Sequence, residues 1–273
     1  MNQAGIFTGE RLVAGDPLFA ADFSRHLVAY RFAQEEVRGK SVLDAGCGDG
    51  YGTHQLAQTA ARALGVDRAA ETLALAAQRY QRPNLAYRAC ELQRLTDLGE
   101  QFDVVCNFQV IEHLADPRPF IEQARQVLRP GGSLIVTTPN RLNSFVENPY
   151  HVHEYVADEL VVLLRSVFAQ VEMRGVCGNE RVMAFERARG AQARRILRLD
   201  PLGVRRLLPR ALIEWAYPRL ARLVRRNIAQ ADNTTATISP ADFVITPDAD
   251  GSLDLLATCR MGGKGRNCSP LTV

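Results

Sequence analysis

The segment that follows Asp44 carries four glycines at alternate positions, Gly46, Gly48, Gly50 and Gly52, at the end of an apolar run. Glycine has no Cβ, so such a loop can turn tightly and let a ligand approach its backbone. The spacing predicts a binding loop for a nucleotide-like cofactor, with an ordinary turn as the alternative. It does not match the dinucleotide fingerprint G-x-G-x-x-G, because a tyrosine or a threonine takes the place of the last glycine.

A second group of polar residues could act on a substrate. Gln109, Glu112 and His113 follow another apolar run, and His151 and His153 lie in a later segment. One carboxylate, two or three imidazoles and an amide oxygen are donors that suit Mg, Mn, Fe or Zn. An imidazole could also remove a proton from a substrate near neutral pH. Packing or a substrate contact without a metal is the alternative interpretation.

Strand-like and helical segments alternate between residues 41 and 138, which predicts an α/β protein with a mostly parallel sheet and helices on both faces. Ligands bind at the carboxyl ends of the strands in such a sheet. The segment from Gln109 to His113 begins at one such end and the segment of His151 and His153 follows the next strand, so the two can converge. The predicted strands are Ser41 to Leu43, Ala63 to Val66, Leu85 to Arg88, Phe102 to Cys106, Ser133 to Thr138, Val171 to Val176, Asp242 to Ile245 and Leu253 to Cys259. Helices are predicted at Pro119 to Leu128 and Ala157 to Phe168.

Asp67 ends the second predicted strand. A Rossmann-type sheet places a carboxylate against ribose hydroxyls at this point, roughly 20 residues after the glycines. An aspartate that caps the next helix is the alternative. Both interpretations place Asp67 at the carboxyl edge of the sheet.

Two flanking segments surround this core, which we assign to residues 41–178 and 240–262. Residues 1–40 predict an N-terminal helical cap, in which His26 and Tyr30 lie one turn apart as cofactor contacts or as packing residues. Residues 179–239 predict a helical insertion, whose stretch from Arg187 to Arg226 contains twelve arginines, no lysine and two acidic residues. It could contact a membrane as a peripheral helix, cover the active site as a lid, bind an acidic partner or present a solvated face. A mobile tail is expected at 263–273.

The net charge, the apolar runs and the cysteine content narrow the class of protein. The formal net charge of the 273 residues is only +3, and no apolar run is long enough to span a bilayer. The six cysteines lack CxxC spacing, which favours buried thiols in a reducing compartment over disulfides or zinc. The first residues lack a secretory signal pattern. We therefore expect a soluble, cytoplasmic protein.

The strand ends together resemble class I S-adenosylmethionine (SAM) dependent methyltransferases, because VLDAGCGDG, the strand-end Asp67 and NFQVIEHL occur in the family's order. The resemblance implies a Rossmann-like, seven-stranded sheet with Leu253 to Cys259 as its antiparallel strand. It also implies that Asp44 and the glycine loop hold the amino-acid part of SAM and that Glu91 faces the adenine amine. The predicted SAM contacts are Tyr30, Asp44, Gly46, Cys47, Gly48, Gly50, Asp67, Glu91, Leu92 and Asn107.

NFQVIEHL and NPYHVHEY are similar to motifs of two metal-dependent O-methyltransferase groups, which act on small-RNA 3′ ends and in the ubiquinone pathway and share E-x-x-E-H. Gln109 replaces the first glutamate here, which removes one negative charge. The resemblance puts Gln109, Glu112, His113 and His151 around a divalent cation such as Mg²⁺. Such a cation would orient a diol and lower the pKa of the reacting hydroxyl. The predicted catalytic residues are Glu112, His113, His151 and His153.

The motifs FTGER, NFQVIEHL, TPNR and NPYHVHEY also resemble bacterial methyltransferases of sugar and polysaccharide biosynthesis, including those that act on methylmannosides. This favours O-methylation of a hydroxyl on a small sugar or glycan intermediate. The alternatives are a quinone or phenolic lipid precursor, an RNA, and a SAM-binding regulator without activity. Nucleic acid is disfavoured because few aromatic residues for base stacking lie among the arginines.

Overall fold

The computed structural model of the chain describes residues 16–145, 148–197, 209–231 and 238–261. The FTGER motif at 7–11, the first fifteen residues of the helical cap and the tail at 263–273 lie outside these ranges, as do parts of the arginine-rich insertion. The described elements are arranged around one eight-stranded sheet.

The strands are β1 (Ser41–Ala45), β2 (Arg62–Asp67), β3 (Leu85–Ala89), β4 (Phe102–Phe108), β5 (Leu128–Pro139), β6 (Gln170–Gly178), β7 (Phe243–Thr246) and β8 (Asp254–Arg260). Their order in the sheet is β3-β2-β1-β4-β5-β8-β6-β7. The pairs among β1 to β5 are parallel, and β8 runs antiparallel between β5 and β6, as predicted. The predicted number of seven strands is one too few, because β7 also joins the sheet by pairing antiparallel with β6.

The α-helices of the described residues are α1 (Ala20–Glu36), α2 (Tyr51–Leu56), α3 (Ala70–Arg79), α4 (Arg118–Val127), α5 (Ala157–Arg165), α6 (Glu180–Leu197) and α7 (Arg210–Ala231). Side chains of α1, α2, α6 and α7 pack into the core on one face of the sheet, and those of α4 and α5 pack on the other. The helices therefore cover both faces, as expected. None of the helices in the described ranges has an apolar stretch long enough to cross a bilayer.

Helix α4 shows how the sequence specifies such a layer. A proline lies in its first turn, where the backbone N–H has no partner within the helix. Its buried residues are Phe120, Ile121, Ala124 and Val127, which recur at the spacing of one helical face. The polar residues between them face outward. The helix predicted at Pro119 to Leu128 is thus correct to within one residue at each end.

A buried network of charges joins the arginine-rich insertion to the N-terminal helix. Its members are Asp22 and Arg25 on α1, Glu186 and Arg189 on α6, Arg225 on α7 and Asp254 on β8. Asp22 Oδ1 lies 2.8 Å from Arg189, and Asp22 Oδ2 lies 2.9 Å from Arg225. Burial favours the protonated form of Asp22, but the arginines outweigh it and hold the pKa of that carboxyl well below its usual range. The network balances three positive charges against three negative ones.

We expect Asp22→Asn to lower the free energy of unfolding by about 3–5 kcal/mol, because it leaves Arg189 and Arg225 buried without their counter-charge. Asp16→Asn is the control, since Asp16 pairs at 3.0 Å with the more exposed Arg222 and such a pair contributes about 1 kcal/mol or less. Urea denaturation monitored by circular dichroism would measure both. Equal effects of the two substitutions would contradict the prediction.

Candidate active site

The glycine loop connects the end of β1 to the start of α2. Gly46, Gly48 and Gly50 have φ angles of 90°, 53° and 84°, a region that other residues rarely adopt. A Cβ at Gly46 would approach Val110 to 2.7 Å, and one at Gly50 would approach Ala76 to 2.7 Å. A Cβ at Gly48 would have nothing within 4 Å. Packing therefore requires glycine at two of these positions, whereas Gly48 borders open space at the carboxyl edge of the sheet.

Asp44, at the end of β1, is fully buried beside this loop. It accepts hydrogen bonds from the Thr53 hydroxyl at 2.7 Å and from the Tyr30 hydroxyl at 3.4 Å. Burial raises the pKa of Asp44 to about 7, although both hydrogen bonds act in the opposite direction. A cationic group of a ligand would stabilise the ionised carboxylate here.

Helix α1 places its two predicted residues differently. Tyr30 reaches Asp44, and its ring occupies the space over Gly52, where a Cβ would come within 1.9 Å of it. His26 Nδ1 lies 3.1 Å from the Tyr51 hydroxyl, and burial lowers the pKa of His26 to about 3. Tyr30 therefore borders the predicted cofactor loop, while His26 is neutral and contacts Tyr51 of α2.

Asp67, at the end of β2, contacts the glycine loop directly. Its Oδ2 accepts a hydrogen bond from the Gly48 N–H at 3.1 Å, and its Oδ1 accepts one from the Ala69 N–H at 2.9 Å. The second bond lies in the turn before α3, whose N-cap is Ala69, so Asp67 orders this turn and does not cap the helix. After β3, Glu91 is exposed and Leu92 is buried.

Asn107 lies fully buried in β4, close to its carboxyl end. Its side-chain amide donates to the Ala45 carbonyl at 2.8 Å, and its Oδ1 has no hydrogen-bond partner among the described residues. Leaving such an acceptor unsatisfied costs about 1–3 kcal/mol. A donor group on a ligand could satisfy this oxygen.

Glu112, His113 and His151 come together as predicted. One ligand atom from each lies within 4.8 Å of the others, and the two imidazole rings meet edge to face at 5.0 Å. Glu112 is buried and accepts a hydrogen bond from the Thr138 hydroxyl at 3.0 Å. Burial raises the pKa of Glu112 to about 7, although His151 partly opposes this. The Val152 N–H donates to the Glu112 carbonyl at 2.8 Å, which holds the loop of His151 against the end of β4.

Each histidine of this cluster is oriented through its Nδ1 atom. His113 Nδ1 lies 2.9 Å from the Tyr150 carbonyl oxygen, and His151 Nδ1 lies 2.6 Å from Glu154 Oε1. Both partners are acceptors, so Nδ1 donates and Nε2 carries the lone pair in the neutral rings. In His151 this lone pair accepts a hydrogen bond from the Asn148 side-chain amide at 2.9 Å. Metal-binding histidines are commonly oriented in this way through their other ring nitrogen. The cluster therefore fits a divalent cation, and it also fits a proton acceptor.

The two other predicted residues of this group contact carboxylates outside the cluster. Gln109 has a φ of 56°, which is strained for a residue other than glycine, and its side chain hydrogen-bonds to Asp254. His153 is exposed and lies 3.4 Å from Glu159 at the start of α5. The structure thus separates His153 from the histidines with which the sequence grouped it, because the carboxylate of Glu159 holds it at the surface.

Sequence reasoning did not single out Glu154 and Arg25. Burial would raise the pKa of Glu154, but hydrogen bonds from His151 and Ser144 and the charge of Arg25 lower it, so the carboxylate is ionised beside the imidazole. The His151 and Glu154 pair could have been found from its spacing of three residues. Arg25 could not, because its position depends on tertiary packing.

Comparison with known proteins identifies the family. A family model described as a methyltransferase domain matches residues 43–136. A Mycobacterium tuberculosis protein, named a probable SAM-dependent methyltransferase, is 33% identical over 261 residues, which cover 92% of this chain and 87% of that protein. This chain is a SAM-dependent methyltransferase.

Further relatives and a solved structure are also described as methyltransferases. A protein of Mycolicibacterium smegmatis with the same description is 40% identical over 170 residues, 60% of this methyltransferase and 65% of the relative. A ubiquinone biosynthesis O-methyltransferase of Cereibacter sphaeroides is 37% identical over 124 residues, and the match spans 49% of that protein. A SAM-dependent methyltransferase of Mesorhizobium loti has the same fold, with a TM-score of 0.51 and 15% identity over 88% of this chain and 99% of its own.

The carboxyl edge of the sheet offers features that fit SAM, the methyl donor of this family. Gly48 borders open space without a Cβ, and the unsatisfied Oδ1 of Asn107 can accept from a ligand donor. Asp44 provides a carboxyl group that a cationic ligand would ionise. We propose that the amino-acid part of the methyl donor lies along the loop between Asp44 and Gly48.

We expect the affinity of the methyltransferase for SAM to rise as the pH increases through about 7. Asp44 of the free protein is protonated below this pKa, and binding of the cationic donor favours its ionised form, so the affinity is lost as the pH falls. Isothermal titration between about pH 6 and about pH 8 would measure the change, which reaches at most about tenfold per pH unit. Asp44→Asn should remove this part of the dependence, and identical slopes in both proteins would contradict the prediction.

Proposed function

We propose that this methyltransferase O-methylates a hydroxyl of a sugar or glycan intermediate, with a divalent cation held by Glu112 and His113 and with His151 as the general base. The observation that carries the proposal is the cluster of Glu112, His113 and His151, in which Nδ1 of each histidine faces an acceptor and Nε2 carries the lone pair.

The polarity of the surrounding side chains favours an acceptor rich in hydroxyl groups. Asn148 and Glu154 offer an amide and a carboxylate group next to the cluster. A hydroxyl can both donate to and accept from such groups. An aliphatic hydroxyl is also a poor nucleophile at neutral pH, so a site that supplies a base suits it.

His151 and Glu154 would move the proton in this reaction. As the acceptor oxygen attacks the methyl carbon, the C–O bond forms and the C–S bond breaks, which yields a methyl ether and S-adenosylhomocysteine. The acceptor hydroxyl would take the place of the Asn148 amide, which lies 2.9 Å from His151 Nε2. Nε2 would then accept the hydroxyl proton, and the ionised Glu154 beside Nδ1 would stabilise the resulting imidazolium. A cation bound by Glu112 and His113 would supply Lewis acidity that lowers the pKa of the hydroxyl.

The test is methyl transfer from labelled SAM to mono- and oligosaccharides, quinone precursors and short RNAs, with Mg²⁺ and with a chelator. We expect labelling of a saccharide that the chelator reduces by at least about a hundredfold and that added Mg²⁺ restores. Glu112→Gln, which keeps the hydrogen bond from Thr138, should reduce labelling to the level of the chelated enzyme. Glu122→Gln on the exposed side of α4 is the control and should leave labelling unchanged.

Labelling of a saccharide that the chelator does not alter would contradict the role of the cation and leave the acceptor class intact. Labelling of an acceptor from another class would contradict the saccharide. Binding of SAM without labelling of any acceptor would favour a regulatory module.

A phenolic quinone precursor is the second candidate, because a relative with 37% identity over 124 residues is a ubiquinone biosynthesis O-methyltransferase. The pKa of a phenol is about 10, far below that of an aliphatic alcohol. Methylation of a phenol therefore depends less on a general base. Methylation of such a precursor should therefore depend less on His151 than methylation of a sugar does.

A further inference from the structure

Helix α7 presents an apolar stripe to solvent. Leu212, Leu220 and Leu223 are 45%, 44% and 50% exposed. Leu220 and Leu223 follow Pro218 in the helix, and at 3.6 residues per turn they lie about 60° apart around it. Ala221 and Val224, on another side, are buried against the body of the protein. The helix thus has a second apolar face in addition to the one that packs inward.

Arginines border this stripe. Arg219 and Arg226 are exposed, and their helical positions lie next to those of Leu212 and Leu223. The helix contains five arginines and one acidic residue. A face with leucines in its centre and arginines at its border is unusual for a helix that contacts only water, where the outward face is polar.

We propose that this face of α7, the stripe of Leu212, Leu220 and Leu223 with Arg219 and Arg226, docks on the surface of an anionic bilayer. Leucines at such a surface enter the boundary between headgroups and acyl chains, and arginines interact with anionic headgroups while their apolar stems stay near the chains. The complementary charge is the reason to choose an anionic bilayer as the occupant.

The rest of the structure holds this face in position. Arg225 is bound to Asp22 at 2.9 Å, and Arg222 is bound to Asp16 at 3.0 Å, so α7 is attached to α1 and to the segment before it. The stripe is therefore formed before docking, and little ordering of the chain opposes binding. This inference goes beyond the proposed function and does not depend on the acceptor.

The test is co-sedimentation of the protein with vesicles of phosphatidylglycerol and phosphatidylcholine, and with vesicles of phosphatidylcholine alone. We expect binding to the anionic vesicles that decreases with added salt. The double variant Leu220→Ser/Leu223→Ser should bind them at least about tenfold more weakly. Val162→Ser is the matched control, because Val162 is 72% exposed on α5, which packs on the opposite face of the sheet.

Circular dichroism and SAM binding must be unchanged in these variants, so that the loss does not reflect misfolding. A second pair, Arg219→Gln/Arg226→Gln, should weaken binding to anionic vesicles and reduce its dependence on salt. Absence of binding at low salt, or equal binding by the leucine variant, would overturn the proposal. Self-association that the leucine variant abolishes, without binding to vesicles, would also overturn it and assign the face to a second copy of the chain.

Discussion

Replacement of His151 by alanine should reduce methyl transfer by about a hundred- to ten-thousandfold, the range expected when a general base is removed. Affinity for SAM should remain unchanged, because the glycine loop and Asp44 do not depend on this side chain. His151 has the features of a base: its Nδ1 lies 2.6 Å from Glu154, and its Nε2 accepts a hydrogen bond from the Asn148 amide at 2.9 Å, which an acceptor hydroxyl can replace. Single-turnover kinetics with saturating SAM would measure the effect.

His153→Ala is the matched control for this experiment. The two histidines are two residues apart, but His153 is exposed and paired with Glu159. Its removal should leave turnover within about twofold of the original protein, since a surface pair contributes little. If added Mg²⁺ restored methyl transfer by the His151→Ala variant, His151 would be a metal ligand and not the base. Equal losses of methyl transfer in both variants would contradict the assignment of His151, and not His153, as the base.

Gly48→Val should weaken SAM binding by at least about a hundredfold. At a φ of 53° a residue with a side chain costs about 1–2 kcal/mol, and the valine methyl groups would fill the open space above the loop. Asp67→Ala should also weaken binding strongly, because it removes the acceptor of the Gly48 N–H. Isothermal titration with SAM would measure both variants.

Gly99→Val provides the control for Gly48→Val. Gly99 has a φ of 68°, and a Cβ at this position would have nothing within 4 Å, so the backbone strain is similar. However, Gly99 ends the turn after Leu98, away from the glycine loop. This variant should lose stability and keep its affinity for SAM. Near-normal affinity in Gly48→Val and Asp67→Ala together would contradict the assignment of the cofactor loop.

The strands and most helices could be predicted from the sequence because their signals are local. Val42 and Leu43 in β1 form a short apolar run bounded by an acidic residue and glycines, and β4 ends directly before the residues that carry Glu112 and His113. The sequence also predicts β7 as a segment, but its membership of the sheet depends on pairing with β6, which is not encoded locally.

The parts of the site that could not be predicted depend on distant contacts. Asp22 and Arg225 are separated by 203 positions in the chain, and neither residue type in its local context indicates a partner. The sequence groups Gln109 with Glu112, but the positive φ of Gln109 and its bond to Asp254 turn the side chain towards β8. His151 and His153 have different surroundings because His151 contacts the carboxylate of Glu154 and His153 contacts that of Glu159.

The position of β8 also has a consequence for the order in which the protein can assemble. The strand is formed by residues 254–260 but lies between β5 and β6, which end at Pro139 and Gly178. During synthesis, more than a hundred residues are added after β5 before β8, the strand that pairs with its edge, is complete. Strand β6 joins the sheet through β8, so it cannot pair with the rest of the sheet before then. Such late, non-local closure slows folding and exposes unpaired strand edges to other chains. The edge of β5 is thus open to other chains until β8 has been synthesised.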